Sequence, residues 1–126
     1  MVITAVTFAR PEDRQRMTAD WLRADALVVA VDYAAMCAAA VARDAALFLT
    51  DDRGQFLANR VGGQFDDYPD PMMTIGEAIL AGTGRPAPGS GRVVASHLGV
   101  GLADLVFADA IVTRANALGL GVELPR

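Results

Sequence analysis

The chain has 126 residues, 53% of them hydrophobic, and a formal charge of −4. That is one compact domain with enough apolar side chain for a real core, too acidic to carry the basic stripe that a nucleic-acid backbone requires. One cysteine and one histidine exclude an internal disulfide and make a structural zinc site a poor fit, and no apolar run approaches the ~20 residues of a membrane span.

Met1–Thr7 is apolar and β-branched and predicts a buried strand. Pro11 suits a first helical position, and residues 11–21 read as a short helix or irregular crossover. Ala26–Val31 predicts a second strand, and the alanine-rich Ala34–Ala42 a helix. Ala46–Thr50 predicts a third strand, and Thr50-Asp51-Asp52 supplies cap and first-turn acids for a helix to about Val61. Gly62-Gly63 ends it, and residues 64–71 form a loop. Thr74-Ile75-Gly76-Glu77 fits a capping box opening a helix to about Ala81. Residues 82–91, rich in glycine and proline, read as a surface loop. Val93–Leu98 predicts a strand and Leu102–Leu118 an amphipathic helix. Gly119 stops that helix, and Gly121–Leu124 returns extended. Apolar strands alternating with helices predict an α/β fold around a parallel sheet. The N-terminus lacks the ordered basic, apolar and cleavage regions of a secretory signal, so a cytoplasmic protein is expected.

Gly99-Val100-Gly101-Leu102-Ala103-Asp104 follows a strand and opens a helix, with Glu123 about twenty residues on. This is the outline of a dinucleotide-binding turn. Asp104 stands where the third glycine belongs, however, and a carboxylate in the first helical turn repels the diphosphate that a helix N-terminus attracts. The glycines are better explained by close helix packing. Asp32 is the leading functional candidate, at the carboxyl end of a buried parallel strand, where ligands bind in open α/β sheets. A carboxylate there can act as general base or hold an ammonium; the alternative is a cap for the helix expected at Ala34. Thr4 and Thr7 have the choice between a ligand-facing strand end and β-branched filler. His97 has the choice between proton shuttle and structural residue. Cys37 reads as a small buried side chain. Asp66, Asp67 and Asp70 lack calcium-loop spacing and read as solvated.

The segment from Arg92 to Leu124 resembles the C-terminal signature of the ornithine cyclodeaminase/mu-crystallin family, in which F-K-S-x-G-x-A-x-x-D leads into a helix ending R-A-x-x-x-G-x-G. Arg114-Ala115 with Gly119 and Gly121 match that ending. Ile75–Gly82 resembles the family's L-G-E-V-L-A-G helix, Gly89–Arg92 its P-G-R turn, Met1–Thr7 its V-T-A-T strand, and Phe48–Asp52 its V-V-V-D-S strand end. The resemblance implies a partial Rossmann-like three-layer parallel sheet, with a C-terminal helix returning toward a dimerisation region of a homodimeric parent. It also implies NAD or NADP and hydride or deamination chemistry on a small amino or imino acid. On that reading Asp32 is base or ammonium anchor, Thr4 and Thr7 run past the nicotinamide, and His97 lies near the cofactor.

The departures bear on activity. Aligned residue by residue, Ala34 takes the place of the family's catalytic aspartate, with Asp32 two positions earlier, and Ala95, Ser96 and His97 replace F-K-S. The family's phosphate-binding G-x-G-x-x-G precedes the V-T-A-T strand, so the chain is expected to be the back half of a longer protein and not to bind the cofactor alone. The pattern around Val31-Asp32-Tyr33 and Thr50-Asp51-Asp52 is similar to a divergent bacterial subgroup that includes accessory subunits of amine oxidases such as tyramine oxidase. A non-catalytic ligand-binding or accessory role is thus the second reading, and an inactive truncated reading frame the third.

Overall fold

Each apolar run read as a strand pairs with a neighbour running the same way. The computed structural model describes residues 1–84, 86–122 and 124. Its strands are β1 (Val2–Thr4), β2 (Leu27–Ala30), β3 (Leu47–Thr50), β4 (Met73–Thr74) and β5 (Val93–Ser96). They form one all-parallel sheet in the order β1-β2-β5-β3-β4. The helices are α1 (Ala39–Arg43), α2 (Arg53–Val61), α3 (Ile75–Leu80) and α4 (Gly101–Leu118), with short 3-10 turns at Pro11–Asp13 and Ala19–Trp21. The protein is therefore α/β, and among the described residues no helix is long and apolar enough to cross a membrane.

The main core fills one face of the sheet. Val28, Phe48 and Val94 from adjacent strands pack there with Val41 of α1, Phe56 of α2, and Phe65 and Tyr68 of the following loop. The four aromatic rings form a continuous cluster, closest at Phe56–Phe65 with centroids 4.4 Å apart. Such ring pairs add about 0.5–1.5 kcal/mol each beyond area burial. The Tyr68 hydroxyl donates to the Cys37 carbonyl at 2.6 Å, tying this loop to the segment before α1. On the opposite face a smaller cluster joins Leu49 and Ala95 to Ala78 of α3.

Several elements differ from expectation. The helix expected from Ala34 starts at Ala39. Residues 35–38 are held out of a helix by bonds to residues 15–17, with Met17 and Cys37 forming a parallel bridge, so tertiary pairing overrides alanine's helix preference. β4 arises inside what reads as loop and cap, because Thr74 pairs with Thr50 and then caps α3. The strand expected over Met1–Thr7 keeps ladder pairing only at Val2–Thr4. α4 forms over nearly the expected span and stops at Gly119, whose φ of 65° needs no Cβ. It is not amphipathic, however: apolar side chains surround most of it and none is buried. Glu123, within the extended return expected at Gly121–Leu124, lies outside the described residues.

The capping box at α3 is complete, with Glu77 N–H donating to the Thr74 hydroxyl at 3.1 Å and Thr74 N–H to the Glu77 carboxylate at 2.6 Å. The Thr74 backbone N–H first, and the Thr74 hydroxyl after it, hold the Glu77 carboxyl below its ordinary range. A depressed carboxyl contributes stability that is complete above its unfolded pKa (~4.3) and is lost as pH falls through the folded value. The stability gap between the protein and Glu77→Gln should therefore be widest at neutral pH and close in acid. Urea midpoints at pH 7 and pH 3 check this; an unchanged gap contradicts it.

Candidate functional site at the carboxyl edge of the sheet

Parallel pairing brings the carboxyl ends of adjacent strands to one edge. Register puts Thr4 opposite Ala30, Ala30 opposite Ser96, and Ser96 opposite Thr50. This rung is buried from end to end. Asp32 follows two residues after Ala30 and is 4% exposed. Its Oδ2 accepts the Val6 N–H at 3.4 Å, while Oδ1 has no partner. Thr4 Oγ1 and Ser96 Oγ are likewise buried without a partner. Buried polar atoms are normally hydrogen-bonded, so three orphans on three adjacent strand ends mark a place where a ligand or water supplies the missing bonds.

The backbone beside them is strained. Tyr33 and Ala34, directly after Asp32, have φ of 52° and 63°. Left-handed conformations in non-glycine residues cost on the order of 1 kcal/mol or more each and collect at ligand sites. This turn, closed by Ala35 N–H donating to the Asp32 carbonyl at 2.9 Å, aims the Tyr33 hydroxyl at the Leu98 carbonyl, 2.9 Å away. Above it an open cleft of about 340 Å³ is lined by Val6, Thr7, Phe8, Val31, Asp32 and Tyr33. The cap alternative for Asp32 does not hold: α1 begins seven residues later at Ala39, whose N–H is taken by the Gln15 side chain at 2.8 Å.

The expected site residues therefore separate. Asp32, Thr4 and Thr7 come together at the β1–β2 end, Thr4 buried beneath and Thr7 exposed in the cleft wall. His97 sits on the other side of β5. Its half-exposed ring has Nδ1 3.5 Å from Asp51 Oδ2 and is not part of the cleft lining. Cys37 is fully buried, and burial first, with the Asp32 charge adding, pushes its thiol up to about 11, so it is no nucleophile at neutral pH.

Two site residues were not singled out as such by the sequence. Ser96 ends an apolar strand, and only a hydroxyl in that terminal position hinted at it. Asp51 reads as a helix-cap acid, but Asp52 is the cap, accepting the Gln55 N–H at 2.6 Å. Asp51 instead reaches across to β5, where its Oδ2 accepts the N–H groups of Leu98 at 2.9 Å and Gly99 at 2.7 Å. That observation tests the dinucleotide turn directly. Two of the amides with which the turn before α4 would meet a diphosphate are already bonded to a carboxylate, and Asp104 adds another in the first helical turn. The turn does not fit a diphosphate.

No protein-family model matches the chain, and no curated protein matches it.

Charge-assisted bonds of the kind Asp51 makes are worth about 1.5–3 kcal/mol in partly buried settings. Asp51→Ala should lower stability by about that amount and speed hydrogen exchange at the Leu98 and Gly99 amides. Exchange followed residue by residue by NMR reads this; unchanged rates at both amides contradict the clamp.

Proposed function

We propose that the carboxyl edge of the sheet binds a small amine-bearing ligand, an amino or imino acid, with Asp32 as the anchor of its ammonium or iminium. The observation that carries this is the set of orphaned polar atoms Thr4 Oγ1, Asp32 Oδ1 and Ser96 Oγ, all buried at adjacent strand ends. A buried carboxylate oxygen is an acceptor, and a cationic donor is its best complement. The flanking hydroxyls both donate and accept, which suits a ligand carrying a carboxylate beside its amine.

The motif resemblance supports placing this site in a protein of the ornithine cyclodeaminase/mu-crystallin family, with the sheet as part of a Rossmann-like layer and α4 returning toward a dimerisation region. On that reading the parent performs NAD(P)-dependent redox or deamination chemistry. The diphosphate of such a cofactor is held by residues other than these, because the turn before α4 is closed by Asp51. The same closed turn favours a second reading, a ligand-binding or accessory protein that recognises the amine without turning it over.

Titrating isotope-labelled protein with small α-amino acids should shift the amides of Val6, Val31 and Tyr33 saturably, while the matching acids without an amine should not. Asp32→Asn should weaken the amine ligand at least tenfold, about 1.4 kcal/mol, with the rest of the spectrum unchanged. NADH alone should give no saturable shift. Equal binding by Asp32→Asn, or no response to any amine, rejects the anchor; saturable NADH binding rejects the assignment of the diphosphate elsewhere.

A further inference from the structure

The cleft above Asp32 is walled mainly by hydrocarbon. Val6, Phe8 and Val31 line it, and each is a large apolar side chain that the fold leaves exposed, Phe8 to 70%. Scattered singly, such side chains are ordinary surface. Here three of them converge on one buried carboxylate with an unpartnered oxygen. Apolar walls around a few placed polar groups are the composition of a small-molecule site. The wall is also fixed: the Tyr33 ring packs with Phe65 at a centroid distance of 6.2 Å and with Phe8 at 5.6 Å, and its hydroxyl donates to the Leu98 carbonyl.

Charge is placed just as unevenly. Among the described residues lining the cleft, Asp32 is the one that carries a charge. The basic side chains that follow Phe8 are engaged elsewhere. Arg10 pairs with Glu12 at 3.8 Å, and Arg14 donates to the carbonyls of Ala9 and Gly63. With the Tyr33 hydroxyl committed to Leu98, Thr7 is the remaining polar side chain of the wall. A ligand whose ammonium sits on Asp32 therefore lays its own side chain against Val6, Phe8 and Val31. A second ammonium or a second carboxylate there loses water and gains no partner, which strongly disfavours it.

We propose that the side chain accepted by this cleft is apolar: the edge takes an α-amino or α-imino acid with an aliphatic or aromatic side chain and discriminates against diamino and dicarboxylic ones. Val6, Phe8 and Val31 set that choice. This rests on Asp32 as the amine anchor and adds what the anchor does not decide, since an ammonium on a carboxylate is common to every amino acid. An apolar wall tells side chains apart by the water it excludes, and each methylene laid against it strengthens binding severalfold.

Isotope-labelled protein titrated with glycine, leucine, lysine and glutamate, read at the amides of Val6, Val31 and Tyr33, tests this. Leucine should bind about tenfold more tightly than glycine, which has the amine and the carboxylate but no side chain. Lysine and glutamate should gain nothing over glycine. Phe8→Ala should erase most of the leucine advantage and leave glycine unchanged; the ring is largely exposed, so the fold should persist. Val31→Thr, which exchanges a methyl for a hydroxyl at nearly constant size, should act the same way. Silence from all four ligands rejects the anchor and the side-chain preference together. A leucine affinity no better than that of glycine, or matched by lysine or glutamate, leaves the anchor standing and overturns the preference. So does a leucine advantage that survives both substitutions.

Discussion

Everything at the candidate site follows from strands that all run one way. In an antiparallel sheet, neighbouring strands end at opposite edges and their terminal residues never meet. Here β1, β2 and β5 finish together, so Thr4, Asp32 and Ser96, up to 92 positions apart in sequence, share an edge. The alternation of the pleat does the rest. The residues that face the core at Val28, Phe48 and Val94 are followed on the same side by Ala30, Thr50 and Ser96. The core thus grades from apolar to polar along the strand direction within a single two-residue step.

That gradient has an energetic cost the fold must offset. Orphaned hydroxyls and a buried carboxylate oxygen disfavour the folded state, as does the left-handed pair Tyr33–Ala34. The offset lies directly below, in the ring cluster of Phe48, Phe56, Phe65 and Tyr68 and in the fully buried aliphatics beside it. The Tyr68–Cys37 bond fixes the segment that follows the strained turn, so the turn cannot relax by sliding toward the core. Strain next to unpartnered polar atoms, on a well-packed base, is the arrangement of a preorganised binding edge.

What could be read from the sequence divides along a physical line. β2, β3, β5 and α2 were legible because hydrophobic runs and cap residues act locally; the cap of α2, Asp52, falls within the Thr50-Asp51-Asp52 triplet expected to open it, two residues after Thr50. The capping box at Thr74–Glu77 was legible for the same reason. α1 was misplaced because its start is set by Gln15 and Met17, residues remote in sequence. Asp32 could be found from its place at a strand end, but Ser96 and Asp51 could not: their roles depend on β5 inserting between β2 and β3, which no local pattern encodes. The amphipathic reading of α4, which rested on Leu102, Leu105, Val106, Val112 and Ala115, failed because Phe107, Ile111 and Leu118 carry exposed apolar surface around the rest of the helix.

Asp51 joins the two halves of this picture. A glycine-bearing turn between a parallel strand and a long helix presents free amides, and a free pair of amides at a helix entrance invites an anion. By filling two of those positions from β3's end, Asp51 converts an anion-binding turn into a fixed joint. The joint removes phosphate recognition from this edge and leaves the Asp32 side as the polar opening of the sheet. It also anchors the turn that leads into α4, an 18-residue helix with no buried residue. One carboxylate therefore both closes the turn before α4 and ties that turn to the end of β3.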